Sequence, residues 1–304
     1  MPERKSLKYP KILLTGSTGQ VGGELMQSLQ SLGNLWAPSR DEFDLAKPES
    51  LRSKIQEHRP DLIVNCAAYT AVDKAESEAS IAHAANAESP RVIAAEAQKL
   101  HIPLIHYSTD YVFDGEKGEP YFEEDIPEPL SVYGKTKLAG ERAIQEIHSQ
   151  YLIFRTSWVY SSRGRNFLTT MLRLFQESEE IRVVDDQVGA PTSAAMLADV
   201  TAQILRKLKI KEEDRWGLYH LTAKGQASWY GFAKEILTMA KKDSQRLPGL
   251  TVKAIHPIPT SDYPTPARRP RNSRLDTSKA AEGFQIEFAS WQNGLLTHDL
   301  SYNN

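Results

Sequence analysis

Short apolar runs alternate with longer helical patterns through the first half of the chain. Ile12-Leu13-Leu14 leads into a helix from about Gly19 to Leu32, and Leu35-Trp36-Ala37 reads as a second strand. A helix over Pro48–His58 precedes Asp61-Leu62-Ile63-Val64-Asn65, a run apolar enough to be buried on both faces. An alanine-rich helix from about Ser80 to Leu100 follows, then the strand-like Leu104–Ser108 and a helix over Lys135–Ile147. Strand, helix, strand repeated in this way predicts a parallel sheet covered on both sides. The expected fold is α/β, a Rossmann-like doubly wound parallel sheet with a smaller C-terminal lobe. Such sheets bind ligands beyond the carboxyl ends of their strands.

After about Tyr160 the pattern is less regular. Leu152–Thr156, Ile181–Val184 and Leu218–Leu221 look like strands, with helices over Asn166–Gln176, Ala194–Lys207 and Trp229–Lys241. Five prolines between Pro257 and Arg274 argue against long regular elements there. The expected division is residues 1–160 as a dinucleotide-binding domain, with later strands returning to its sheet. Residues 161–304 then form mainly a substrate-binding lobe.

The net charge of −2 gives no electrostatic reason for a nucleic-acid or membrane partner. Met1–Tyr9 is polar and runs straight into the first strand, which does not read as a signal peptide. With Cys66 as the single cysteine, no intrachain disulfide can form, and a reducing cytoplasm is the expected location.

Gly16-Ser-Thr-Gly19-Gln20-Val21-Gly22 lies between the first strand and the first helix. Gly16 permits a tight turn, Gly19 lets backbone approach a pyrophosphate, and Gly22 lets helix and strand pack closely. The anion would rest on the positive end of the helix. At the end of the second strand an acidic residue favours NAD and a basic one NADP. Ser39-Arg40 occupies that place, with Asp44 and Leu45 placed to rim the adenine pocket. NADPH is therefore the expected cofactor, with NADH as the second choice.

Thr109 ends the fourth strand, and Tyr133 and Lys137 follow at i and i+4 on one helix face. Hydride addition to a carbonyl leaves an oxyanion that must be protonated by a suitably tuned acid. An ammonium beside a phenol lowers its pKa, which assigns the proton to Tyr133, the cation to Lys137 and the carbonyl contact to Thr109. Tyr230 and Lys234 repeat the spacing downstream without a glycine turn or strand-end threonine, and receive no role.

Several segments carry a resemblance over nearly the whole chain. They are Thr15–Gly22, Asn65–Glu76, Tyr107–Phe113, Tyr133–Glu141, Arg155–Tyr160, Asp185–Thr192 and Pro264–Pro270. They resemble the dTDP-4-dehydrorhamnose reductase family of extended short-chain dehydrogenases/reductases. The resemblance implies NAD(P)H-dependent reduction of the 4-keto group of dTDP-6-deoxy-L-lyxo-4-hexulose to dTDP-L-rhamnose. It implies that Gly19, Gln20 and Val21 meet the pyrophosphate, and that Ala68, Tyr69, Thr70 and Tyr107 line the dinucleotide site. Lys137 would touch the nicotinamide ribose, while Thr109, Asp110 and Trp158 would face the sugar.

By their chemistry, Gln187 and Asn166 suit a nucleotide base, and Arg268, Arg269 and Arg271 suit a diphosphate. Some family members hold Mg²⁺ between acidic residues at a subunit contact. Glu24 could serve, but Ala194-Ala195-Met196 lacks the second carboxylate, so no metal is expected and a homodimer remains only an option. Two alternatives share the fold. An epimerase or dehydratase is one, although dehydratases use Asp-Glu where this chain has Asp110-Tyr111. A non-catalytic NADP-binding regulatory subunit, like that of methionine adenosyltransferase, is the other. Such a scaffold has no need of Thr109, Tyr133, Lys137 and Trp158 together.

Overall fold

The computed structural model describes residues 9–208, 215–242 and 249–296. The polar opening segment, residues 1–8, lies outside them. Strands β1 (Lys11–Thr15), β2 (Asn34–Trp36), β3 (Leu62–Asn65), β4 (Leu104–Thr109) and β5 (Tyr151–Thr156) form a parallel sheet. Between them run α1 (Gln20–Ser28), α2 (Pro48–His58), the short α3 (Val72–Ala75) and α4 (Ala79–His83), α5 (Ser89–Leu100) and α6 (Val132–Ile147).

The second half comprises β6 (Val159–Tyr160), α7 (Phe167–Glu177), β7 (Glu180–Val184), β8 (Val188–Gly189), β9 (Thr192–Ser193) and α8 (Ala194–Lys207). Then come β10 (Gly217–His220), β11 (Ala227–Ser228), α9 (Trp229–Lys242), β12 (Ala254–Ile258), α10 (Ser278–Phe284) and α11 (Trp291–Leu296). The six-stranded order is β10-β5-β4-β3-β1-β2, so β10 crosses back to extend the nucleotide-type sheet beside β5. The order reverses at β1, where β2 lies on one side and β3 on the other, creating the crevice expected of doubly wound sheets.

Alternation along the strands explains the two buried faces. Ile12 and Leu14 join Leu25 of α1, Leu29 at its C-cap, and Leu197, Ile204 and Leu205 of α8 in one core. Leu13, Ile63 and Ile153 turn the other way, onto Leu51 and Ile55 of α2, Ile93 of α5 and Ile144 of α6. A third core joins α7, β7, α9 and α11 around Phe175, Phe232 and Trp291. The fold class read from the sequence is thus the observed one.

One detail differs from the sequence reading. The alanine-rich helix is interrupted by a π-helical turn over Ala84–Glu88, where Asn86 turns its side-chain amide to the backbone of Tyr69. The proline-rich stretch holds no long element, as its prolines require: β12 ends there at Ile258, running through Pro257 and pairing with β7. An edge strand can lack one ladder donor at little cost. Among the described residues no helix is long and apolar enough to cross a membrane.

The sheet also buries ionisable groups. Arg155 on β5 stands in register with Ser108 on β4 and His220 on β10. Its guanidinium holds Glu141 at 2.6 Å (Nη2 to Oε2) and 3.0 Å (Nε to Oε1), and Ser108 donates its hydroxyl to the same carboxylate. His220 approaches two carbonyls through Nδ1, Tyr121 O at 3.1 Å and Asp276 O at 3.2 Å, so Nδ1 carries the proton. Burial, with Arg155 nearby, pushes its pKa down to about 3.

A folded pKa below the unfolded value means stability that is present above about 6.5 and lost as pH falls toward 3. Between pH 7 and 4.5 this costs about 2.5 kcal/mol, at ~1.36 kcal/mol per unit. Asp110 opposes it: burial raises its carboxyl to about 6, so its contribution improves as pH falls over the same range. Comparing urea midpoints of wild type and His220→Gln at both pH values isolates the histidine. The wild type should lose more on acidification, and equal losses would contradict its neutral burial.

Candidate active site

The glycine turn closes β1 onto α1 as its spacing requires. Gly16 has φ +70°, a left-handed conformation, and a Cβ there would lie 2.8 Å from the Ala67 nitrogen. A Cβ on Gly22 would stand 2.1 Å from the Gly16 carbonyl, so helix and turn meet only because that position is bare. Gly19 is the N-cap of α1, with no side chain capping the helix and no acidic residue in its first turn. Bare backbone, an uncapped helix start and the crevice position fit a dinucleotide pyrophosphate. Gln20 reaches across to the second half, its Oε1 accepting from Ser161 Oγ at 3.2 Å.

Ser39 and Arg40 follow β2 on the surface. Ser39 gives both its N–H and its hydroxyl to Glu42, each at 2.9 Å, and this holds the exposed Glu42 carboxyl below the usual range. Arg40 lies 3.8 Å from Asp44 with its side chain 81% exposed, leaving the guanidinium accessible to an anion. Leu45 is buried in the sheet core, where its carbonyl accepts from Ser89. Beyond β3, the backbone of Tyr69 is pinned by Asn86, and its hydroxyl donates to Glu78 at 2.5 Å.

The catalytic candidates converge at the carboxyl end of β4. Ser131 caps α6 through Gly134 N at 3.1 Å and sets Tyr133 in the first turn. The Tyr133 hydroxyl is buried beside Thr109, whose Oγ1 donates to Asp110 Oδ1 at 3.0 Å and accepts from Tyr111 N at 3.2 Å. The Tyr133 ring packs edge-on against Tyr111, centroids 5.5 Å apart. Burial pushes the Tyr133 hydroxyl well above the usual tyrosine range.

Lys137 lies one turn on, with Nζ 2.6 Å from the Tyr107 carbonyl, and burial pulls it down to about 8. The sequence reading has the ammonium lowering the phenol. The structure shows desolvation of both groups as the larger effect, with Nζ turned toward β4. Tyr107 also differs from expectation. Strand alternation sends its ring to the opposite core, bonded to Thr201 at 2.5 Å, and only its carbonyl faces the site. The repeat at Tyr230 and Lys234 forms a cation–π contact at 5.4 Å and joins none of this.

The second half supplies the remaining candidates. Trp158 has φ +49°, a strained value for a bulky residue, and its indole stacks on Trp229 at 3.5 Å. Trp229 Nε1 in turn donates to Gln187 Oε1 at 3.2 Å, and Gln187 Nε2 donates to Thr260 at 3.0 Å. Both ends of the Gln187 amide are therefore taken up within the protein. Asn166 caps α7 in a capping box with Thr169, which makes it a structural residue rather than a free base-reader.

Arg269 pairs with Asp73 at 2.9 Å. With Arg268 and Arg271 it lines an open cleft of about 480 Å³ that also borders Thr260, Asp186 and Tyr263. Glu24 pairs with Arg163 at 3.5 Å. Among the described residues no group of three or more His, Cys, Asp or Glu side chains is placed to hold a metal ion.

Residues 10–299 match the family described as RmlD substrate binding domain. The chain is 49% identical to the dTDP-4-dehydrorhamnose reductase of Escherichia coli K12 over 288 residues, covering 93% of this chain and 95% of that one. It belongs to the dTDP-4-dehydrorhamnose reductase family. A dTDP-4-dehydrorhamnose reductase from Bacillus anthracis, solved in complex with NADP, superposes with a TM-score of 0.85 at 35% identity over 95% of this chain and 98% of that one. A UDP-glucose 4-epimerase from Thermotoga maritima superposes at 0.77 with 19% identity and covers 96% and 98%, which shows the common fold alone. As a member of the reductase family the chain is an oxidoreductase of dTDP-rhamnose biosynthesis.

Sequence reasoning missed three parts of the site. Trp229 backs Trp158, the pair Asn65 and His106 lies behind Lys137, and Glu141 with Arg155 anchors α6 to the sheet. Glu141 had a visible signal: it continues the i, i+4 stripe of Tyr133 and Lys137. The other two arise only when distant segments meet.

Proposed function

We propose that the chain reduces the 4-keto group of dTDP-6-deoxy-L-lyxo-4-hexulose to give dTDP-L-rhamnose, with NADPH as the bound reductant. The reading rests on one observation above all: Thr109 at the carboxyl end of β4, Tyr133 in the first turn of α6 and Lys137 one helical turn on stand buried at one place. The nicotinamide supplies hydride to the carbonyl carbon. Thr109 and Tyr133 hold the carbonyl oxygen, and Tyr133 delivers the proton as negative charge develops there. Desolvation keeps the phenol protonated until that charge appears. Asp110 and Trp158 border the sugar, and the Arg269 cleft receives the diphosphate end of the substrate. Residues 161–304 supply mainly this substrate side. The enzyme works in a reducing cytoplasm.

The NADP-bound relative supports the choice of NADPH, and Arg40 supplies the chemistry for the 2′-phosphate. A 2′-phosphate would also compete with Glu42 for the Ser39 donors. Loss of one charge-assisted contact costs roughly 1.5–3 kcal/mol, so Arg40→Ala should weaken NADPH binding about tenfold or more. NADH binding should change little. Equal losses for both cofactors, or none, would remove Arg40 from the site. Oxidation of NADPH on addition of the ketosugar tests the activity itself.

A further inference from the structure

Thr156 ends β5 beside Thr109, its register partner on β4. Its side chain is buried, and among the described residues Oγ1 has no hydrogen-bond partner. Thr109 stands differently, donating to Asp110 Oδ1 at 3.0 Å and accepting from Tyr111 N at 3.2 Å. Of two threonines side by side on neighbouring strands, one is held by the protein and the other is left open. A buried hydroxyl without a partner costs free energy that an incoming polar group can recover.

Alternation fixes where that hydroxyl lies. Side chains two apart along a strand share a face. Leu152 and Phe154 of β5, with Ile105 and Tyr107 of β4, pack in the core that also holds Leu25 of α1 and Leu197 of α8. Thr156 and Thr109 continue those two rows to the carboxyl edge of the sheet. They are thus on the face that carries the glycine turn and α1.

The strand order says which part of a dinucleotide reaches Thr156. From its β2 edge the sheet runs β2, β1, β3, β4, β5. Arg40 follows β2, the glycine turn follows β1, Ala68–Thr70 follow β3, and Lys137 is bonded to the Tyr107 carbonyl of β4. The inference rests on the cofactor reading above, with the 2′-phosphate at Arg40 and the pyrophosphate at the glycine turn. The nicotinamide half then falls toward β4 and β5. Ring carbon C4 must face the carbonyl at Thr109 and Tyr133, and the adjacent carbon C3 carries the carboxamide. That group has one carbonyl acceptor and two N–H donors, and a hydroxyl can pair with either end.

We infer that the Thr156 hydroxyl holds the nicotinamide carboxamide. Thr156 is then a cofactor-orienting residue of the reacting centre. Its contact stops the ring from turning about its glycosidic bond and so selects the face that gives up hydride.

The test compares two ligands in Thr156→Val and Thr156→Ser: NADPH, followed by its fluorescence, and 2′-phospho-ADP-ribose, which lacks only the nicotinamide, followed by calorimetry. Thr156→Val should weaken NADPH roughly three- to tenfold, the worth of one neutral hydrogen bond, and leave 2′-phospho-ADP-ribose unchanged. Thr156→Ser keeps the hydroxyl and should bind both ligands nearly as wild type does. Valine keeps the branched shape and adds no unpaired group, so the free chain should melt no lower than wild type. Unchanged NADPH affinity in Thr156→Val would overturn the inference, as would equal losses for both ligands or a serine variant as weak as the valine one. A raised KM for the ketosugar with NADPH affinity intact would also overturn it, placing a sugar hydroxyl there instead. Neither titration needs the ketosugar: a wild-type chain that binds NADPH but fails to reduce the sugar would count against the functional reading and leave this comparison standing.

Discussion

Tyr133→Phe should abolish turnover while leaving NADPH affinity nearly unchanged. A positioned general acid contributes roughly 10²–10⁴-fold in rate, so kcat should fall by about that factor or more. The variant keeps the ring that packs on Tyr111 and loses only the buried hydroxyl beside Thr109. The cofactor turn at Gly16–Gly22 belongs to different elements and should be undisturbed. Stopped-flow hydride transfer and a fluorescence titration with NADPH separate the two effects. Undiminished turnover would assign the proton to another group, whereas equal loss of rate and cofactor binding would indicate a collapsed site.

Glu141→Leu should be among the most destabilising single changes in the chain. It removes the carboxylate that answers a guanidinium only 3% exposed and leaves Arg155 charged and buried without its ion-pair partner. Breaking one side of such a pair costs about 3–5 kcal/mol. Stacking over Phe113, 5.0 Å away, recovers only part of this. Chemical denaturation should show the loss, and replacing both partners by apolar residues should restore much of it. A Glu141→Leu chain as stable as wild type would mean that the pair contributes nothing to holding α6 on the sheet. Because Glu141 shares its helix face with Lys137 and Tyr133, activity should fall along with stability.

The parts of this molecule visible in the sequence are those set by local spacing. The glycine turn sits between one strand and one helix, so its three positions declare both the turn and the close packing it permits. Tyr133 and Lys137 lie on one helix, and their four-residue spacing is enough to place them on one face. The parallel sheet follows from runs such as Leu62–Asn65 that are apolar on both sides.

What stayed hidden depends on register between strands far apart in the chain. Thr15, Asn65 and His106 become neighbours only because β1, β3 and β4 pair as they do. The same holds for Ser108, Arg155 and His220 across β4, β5 and β10. The stacking of Trp158 on Trp229 joins positions 71 residues apart in the chain. Tyr107 shows the complementary limit. Its place in a motif suggested the cofactor side, but alternation along β4 fixes its ring on the opposite face from His106.

One measurement bears most directly on the whole account: product formation from dTDP-6-deoxy-L-lyxo-4-hexulose and NADPH, followed by chromatography of the nucleotide sugar. Wild-type chain should convert the ketosugar to dTDP-L-rhamnose with one NADPH oxidised per molecule formed, and Tyr133→Phe should form almost none. An intact, NADPH-binding chain that leaves the ketosugar unreduced would contradict the account.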